Sequence, residues 1–332
     1  MAYDPIVLRR AAEELERRRE LRRRETGRRR TDAYRRQPRL EQLDRQLQGT
    51  MAQLISTALR KGEDPAGAVR ALKDKNLAIQ EERSALLAQL GLDRDSLEDT
   101  PACPKCGDSG WRGAHMCSCL KEIYTREQNK ELSKLLDLGS QSFDTFRLDY
   151  YSPQRQNGQF LSPRENMEWV LRLCRDFVDN FGRGGVKNLY FHGTPGLGKT
   201  FLSACIARAV SEQGHSVVYD TAGNIFAQFE QRKFQRFEDS RDARDETRRY
   251  LNCDLLILDD LGSELTTQFT QSALYELINT RLVAGRKTVI SSNLSLGEMA
   301  QRYSPQIASR ISGEFHDLWF FGEDIRVLKK QR

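Results

Sequence analysis

No stretch of the sequence approaches the ~18 consecutive apolar residues that a membrane-spanning helix needs, so that class is excluded. Its opening, MAYDPIVLRRAAEELERRRE, lacks the apolar core of a secretory signal, and the expected address is the cytoplasm. Disulfides are unexpected there, so closely spaced cysteines read first as metal ligands. Strand-like alternation is nearly absent from residues 1–99, which excludes a sheet in that third of the chain. Residues 100–122 hold only Trp111, Met116 and Leu120 as candidate core residues, too few to order the segment by burial alone. What remains is a chain of 332 residues, 38% hydrophobic and 30% charged. It has room for two or three domains at roughly 100–200 residues each.

The net charge of +6 is a poor average. Residues 9–39 carry fourteen arginines against six acids, a local +8, so the rest of the chain sums to −2. Such a block suits phosphate or an acidic protein partner, or is simply a solvated arm. The 3/4 spacing of Leu40, Leu43, Leu47, Met51 and Leu54 predicts one helix, with Pro38 in its first turn. A second helix is predicted from Asp64 as N-cap and Pro65 to about Leu90, with Gly91 as a left-handed cap. Together they make an antiparallel hairpin.

From about Leu138 onward, apolar strands alternate with helical stretches, which indicates an α/β domain with a mostly parallel sheet. Its first helix opens at SPREN, where Ser162 caps, Pro163 takes the first turn and Glu165 closes a capping box. Strands are expected at Val186–His192, Ser216–Asp220, Asp254–Asp259, Thr288–Ser292 and Leu318–Phe321. Between the first strand and an amphipathic helix lies Gly193-Thr194-Pro195-Gly196-Leu197-Gly198-Lys199-Thr200, a full G-x-x-x-x-G-K-[ST] phosphate loop. Its backbone N–H groups curl around phosphate oxygens, Lys199 reaches the terminal phosphates, and the Thr200 hydroxyl ligates Mg²⁺. CDLLILDDLG supplies a buried strand ending in Asp259, assigned to the metal, and Asp260, assigned to the attacking water. A third strand ends in Ser292-Asn293. Asn293 either helps place that water or merely turns the chain.

In this order the elements resemble the AAA+ ATPases, and more closely the DnaC/DnaI helicase-loader family, which shares its ATPase module with the IstB transposition helper. The resemblance rests on FHGTPGLGKT, LLILDDLG, VISSNLS and YSPQIASRISGEFHDLWFFGEDIR, and covers roughly residues 140–332. It implies ATP hydrolysis, with Asn293 at the sensor-one position. It also implies that Arg310 is the arginine finger completing a neighbouring subunit's site, with Arg302 the weaker candidate, so that hydrolysis requires self-association. Two departures suggest slow, switch-like turnover. Asp260 stands where many members have glutamate, and little chain follows the last strand to build a helical lid. In NIFAQFEQRKFQRFEDSR, Phe226, Phe229, Phe234 and Phe237 beside Arg232, Lys233 and Arg236 are either core or a stacking surface for single strands. A mixed arrangement puts Phe226 and Phe229 inside.

Four of the seven cysteines fall in ACPKCGDSGWRGAHMCSCL, as Cys103, Cys106, Cys117 and Cys119. A C-x₂-C turn and a C-x-C pair, the latter read as extended, give four thiolates suited to tetrahedral Zn²⁺. Zinc binding worth ~10–16 kcal/mol would order a segment without a core. A redox pair is disfavoured because no thioredoxin-like unit surrounds it, and His115 is an alternative ligand to Cys117 or Cys119. Cys174, Cys205 and Cys253 read as buried thiols.

The expected organisation is an Arg-rich arm and helical hairpin for partner binding (1–99), a zinc segment (100–122), a linker helix (123–137) and an AAA+ domain (138–332). The expected function is an ATP-dependent loader that binds a hexameric replicative helicase and places it on single-stranded DNA, with ATP, Mg²⁺ and Zn²⁺ as cofactors. The rivals are an IstB-like transposition helper and a nucleotide-gated adaptor with little hydrolysis.

Overall fold

The computed structural model describes residues 3–58, 65–136, 138, 140–155, 158–183, 185, 187–234 and 241–331. Within its helices, the side chains at 50–58, 65–69, 71–72, 234, 241–245 and 331 lie outside the description. The chain divides into two compact units, Met1–Ala12 with Leu120–Arg332, and Glu13–Cys119. Among the described residues no helix is long and apolar enough to cross a membrane.

In the Glu13–Cys119 unit, the Arg-rich segment is part of one continuous helix, α1 (Pro5–Arg36), followed by α2 (Pro38–Ala58) and α3 (Pro65–Gln89). Pro38 opens α2 as the spacing predicts, Leu40 is fully buried beside Ala33, Leu87 and Leu97, and Leu43 is fully buried as well. Asp44 ties the layers, accepting from Arg83 Nε at 2.6 Å and from the Tyr34 hydroxyl at 2.5 Å. α3 ends as expected, with Gly91 at φ +70° and the Leu92 N–H donating to the Leu87 carbonyl at 3.0 Å. The expected N-cap Asp64 and the side chains of Met51 and Leu54 lie outside the described residues.

A free arm is not what α1 forms in this unit. Arg22 and Arg23 pair with Asp99, and Arg30 donates to the Leu97 carbonyl. Arg17 and Arg18 share Glu14 within the helix, while Arg28, Arg29, Arg35 and Arg36 face solvent. The arginines therefore supply the lateral contacts that this poorly apolar helix could not make through burial.

The other unit is a three-layer α/β structure. Helix α4 (Ser118–Leu132) leads to α5 (Pro163–Asp179), whose predicted capping box forms: the Glu165 N–H donates to Ser162 Oγ, and the Ser162 N–H to Glu165 Oε2. Two short strands, β1 (Trp111–Arg112) and β2 (His115–Met116), belong to the cysteine segment. The sheet proper comprises β3 (Asn188–Gly193), β4 (Val217–Thr221), β5 (Leu255–Leu261), β6 (Lys287–Ser292) and β7 (Phe315–Phe320). Its order is β4-β5-β6-β3-β7, with every pairing parallel. All five expected strands form, with ends shifted by at most three residues.

The parallel sheet explains the apolar runs, because both faces are covered and alternate residues enter different cores. Leu255 and Ile257 pack with Phe191, Leu318 and Phe320 against α5 and α6 (Lys199–Glu212). Leu256 and Leu258 pack on the other face with Tyr190 and Ile290. That second face is covered by α7 (Ala222–Phe234), α8 (Arg241–Asn252), α9 (Gln268–Val283), α10 (Leu296–Arg302) and α11 (Pro305–Glu314). A short helix, α12 (Ile325–Gln331), follows β7. Asp4 caps α1 by accepting from the Ile6 N–H, and it is held in this unit by Arg249 of α8 at 2.6 Å.

Candidate functional site

At the carboxyl ends of the strands Pro195, Gly196, Leu197, Gly198, Lys199 and Thr200 of the phosphate loop line one cavity of about 790 Å³, together with Asp259, Asp260, Ser291 and Asn293, while Gly193 and Thr194 are not in its lining. β3 delivers the chain into the loop and α6 leaves it, so the first turn of α6 points its free N–H groups at the cavity. Two glycines are there for physical reasons. Gly193 has φ +135°, and a side chain on it would strike the backbone of Phe320 on the neighbouring strand. Gly196 has φ +82°, and a side chain would collide with the Asp324 carboxylate.

Lys199 is 8% exposed, and its ammonium is held inside the loop. It donates to the carbonyls of Gly193 (2.5 Å) and Thr194 (2.9 Å) and to Asn293 Oδ1 (2.8 Å). Burial lowers its pKa to about 8, against the opposing pull of Asp259 and Asp260. Thr200 Oγ1 donates to Asp259 Oδ2 at 3.3 Å, which places a hydroxyl and a carboxylate side by side. These are hard oxygen donors of the kind Mg²⁺ prefers, so the residues fit the expected ion.

Asp260 differs from Asp259 for a reason the sequence does not display. β5 has a register irregularity between Leu258 and Leu261, and Asp260 sits in the left-handed region at φ +55°. The bulge turns the second acid out of the sheet. Asp259 is buried in the wall, whereas Asp260 is exposed on the cavity.

Sequence reasoning missed the remaining wall. Gln141, Phe146, Arg147, Tyr150 and Tyr151 line it from one side, and Ile325, Arg326 and Lys329 of α12 from the other. Phe146 stacks on Tyr151, the Tyr151 hydroxyl donates to the Leu197 carbonyl at 2.9 Å, and the Arg147 guanidinium lies over the Tyr150 ring. The available signal was four aromatics within residues 143–151 of a chain that is only 8% aromatic. α12 is fastened to the loop by the Ile325 N–H donating to the Gly196 carbonyl at 3.0 Å.

Neither finger candidate lines the cavity. Arg302 is engaged with Thr266 and the Glu264 carbonyl. Arg310 is exposed, with its guanidinium over the Tyr275 ring at 5.6 Å. Phe226 and Phe229 are buried in the second core, while Arg232 and Lys233 are exposed. Phe237 and Arg236, like the Phe234 side chain, fall outside the described residues. Cys174, Cys205 and Cys253 are buried free thiols, as read from their apolar surroundings.

In the other unit the four clustered cysteines converge, with all four sulfurs within 4.8 Å of one another. Cys103 and Cys117 sulfurs are 3.7 Å apart and those of Cys106 and Cys119 3.5 Å. A tetrahedron of sulfurs around zinc at about 2.3 Å has edges of about 3.8 Å, so the donor set fits. The C-x-C pair is not extended, contrary to expectation. Cys117 follows the β1–β2 hairpin and Cys119 lies in the first turn of α4, a hairpin-to-helix turn that brings both sulfurs to one point. His115 is exposed on β2 and outside the group, and Trp111 is exposed rather than core. The backbone N–H of Cys119 chiefly draws the Cys117 thiol down to about 6, while burial pushes Cys119 up.

Asp108, at φ +62°, braces the C-x₂-C turn by accepting from the N–H groups of Cys103 (2.8 Å) and Ala102 (3.0 Å), and it pairs with Arg22 at 2.5 Å. Its burial would raise its pKa, yet these donors hold it below the usual carboxylate range.

Two measurements check these sites. Purified protein is expected to release one zinc per chain on thiol modification, read with a chromogenic chelator, and the Cys106→Ser/Cys119→Ser variant none. Because Lys199 is about half neutral near pH 8 and a phosphate would hold it charged, nucleotide binding should take up about half a proton at pH 8 and about a tenth at pH 7. Calorimetry in buffers of different ionisation enthalpy reads that difference.

Residues 174–311 match the family of IstB-like ATP binding proteins. The replicative helicase loader DnaC of Escherichia coli K12 is 25% identical over 171 residues, which is 50% of this chain and 68% of that protein. An uncharacterized protein of the same organism, YdaV, is 24% identical over 148 residues, 45% of this chain and 58% of that one. Among solved structures, the crystal structure of the DnaC helicase loader is 25% identical with a TM-score of 0.42, covering 54% of this chain and 98% of that one. The crystal structure of DnaI is 20% identical with a TM-score of 0.43, covering 57% and 93%. Residues 174–311 thus match the IstB-like ATP binding proteins, and over half of its length the chain is similar to the replicative helicase loader DnaC.

Proposed function

We propose that this protein is an ATP-dependent helicase loader, within the DnaC-type replication role that its homology supports. The observation that carries the reading is the contact between Lys199 and Asn293 inside a fully built phosphate loop. A γ-phosphate would compete with Asn293 for the same ammonium, so the residue after β6 would register the presence of that phosphate directly. In this reading Thr200 and Asp259 hold Mg²⁺, which supplies charge neutralisation at the terminal phosphates. Asp260, on the cavity side of its bulge, orients the attacking water. Its short side chain suits a slow switch.

Arg310 is the finger in this reading. It is exposed, lies off its own cavity and is less engaged than Arg302, so it is available to a neighbouring copy. A guanidinium supplied in trans is worth ~10³–10⁵ in rate, which ties hydrolysis to assembly. Residues 1–99 grip a hexameric replicative helicase, residues 100–122 form its zinc-stabilised neighbour, and residues 138–332 assemble and engage single-stranded DNA. The exposed Arg232 and Lys233 at the end of α7 provide cations for that contact.

A second reading has its own support. The match over residues 174–311 is to IstB-like proteins, so a transposition helper acting on duplex DNA is the alternative. Purified protein mixed with the host's replicative helicase, ATP and forked DNA is expected to form a helicase complex and deposit helicase on the single strand. Failure to bind helicase in any nucleotide state, together with ATP-dependent filaments on duplex DNA, would transfer the assignment to the helper.

A further inference from the structure

We propose that Tyr219 is a positioning residue of the nucleotide site, setting the orientation of the Asp259 carboxylate and thereby the affinity for the divalent cation. The proposal rests on the reading of this cavity as an ATP–Mg²⁺ site. Tyr219 belongs to β4, the edge strand beside β5, where Thr221 rather than Tyr219 is the backbone partner of Asp259. Its side chain therefore reaches two residues along the neighbouring strand, and its hydroxyl donates to Asp259 Oδ2 at 2.5 Å. It is 8% exposed and packs in the same core as Leu255 and Ile257. A phenylalanine would fill that place as well, so the hydroxyl has no packing purpose.

The rest of the carboxylate is also accounted for. Oδ1 accepts from the Asp260 N–H at 3.0 Å, across the bulge, and Oδ2 also accepts from Thr200 Oγ1 at 3.3 Å. Each interaction comes from a different element: β4, the bulge of β5, and the first turn of α6. Tyr219 is the short and buried one, donated from a ring that the core holds still. The Asp259 backbone alone leaves its carboxylate free to rotate. With Tyr219 holding Oδ2 beside Thr200, the carboxylate is kept on the cavity wall, where it could hold a hydrated cation. Partners that orient a metal-binding group typically change metal affinity about 10–100-fold when lost.

The test is Tyr219→Phe, which removes one oxygen and keeps the ring. Binding of a fluorescent ATP analogue is followed as Mg²⁺ is titrated, and again in EDTA, with thermal melting of the nucleotide-free protein as the control for folding. The expected result is a Mg²⁺ midpoint raised about tenfold, with binding in EDTA and melting close to wild type. Added to an Asp259→Asn background, Tyr219→Phe should move the midpoint by less than about twofold, because both changes act through one carboxylate. An unchanged or lowered midpoint in the single variant, or shifts that simply add in the double variant, would overturn the proposal. Those outcomes leave the ATP reading intact if wild type binds the analogue. No binding by wild type, with or without Mg²⁺, would remove the ATP reading and this inference together.

Discussion

The buried ammonium of Lys199 is the interaction on which the site depends. Three acceptors surround it, two of them carbonyls of the loop that the phosphate would enter and the third the Asn293 side chain from another strand. Before nucleotide arrives, those acceptors close the loop around the cation and join β3 to the end of β6. In the proposed function, phosphate would give the same cation a better partner and release the join. A lysine kept this dry pays in pKa, down to about 8. The two aspartates of β5 offset only part of that cost. The loop is thus built for a ligand with more negative charge than the protein itself provides.

Much of this was legible in the sequence because parallel sheets are buried on both faces. Continuous apolar runs such as Leu255–Leu258 cannot sit elsewhere, and the glycine spacing of the loop has few other uses. The capping box at Ser162 and the left-handed Gly91 were also readable, since each is set by local backbone geometry. The β5 bulge was not. Asp259 and Asp260 read as an adjacent pair at a strand end, and only the register against β6 shows the bulge that turns the second one out. Nor was the far wall of the cavity legible. Phe146, Tyr150 and Arg326 meet through tertiary placement across some 180 residues of chain, and no local pattern encodes that meeting. Tyr219 hid for a similar reason, as an ordinary strand residue until its hydroxyl found Asp259.

The Glu13–Cys119 unit solves a different problem, holding together a region with little apolar surface. Its small core around Ala33, Leu40 and Leu87 covers only part of α1. Arginine contacts do the rest, and Arg22 extends them to Asp108 at the cysteine turn. The charge block that looked like a free arm is in part internal mortar. Where the reading of the cysteines went astray was in conformation. The sulfurs of Cys117 and Cys119 meet their partners through a hairpin-to-helix turn, a geometry that C-x-C spacing alone does not distinguish from an extended pair.

In the proposed function the loop takes the phosphates, Thr200 and Asp259 the metal and Asp260 the water, and hydrolysis calls for a further cation from a neighbouring copy. Arg310, exposed over Tyr275 and away from its own cavity, is the group assigned to supply it to a neighbour. The most direct measurement mixes two inactive variants. Lys199→Ala has a dead pocket and an intact Arg310, while Arg310→Ala has an intact pocket and no finger. The mixture is expected to hydrolyse ATP well above the sum of the separate proteins. Hydrolysis that never exceeds that sum, or an Arg310→Ala protein as active alone as wild type, would contradict it.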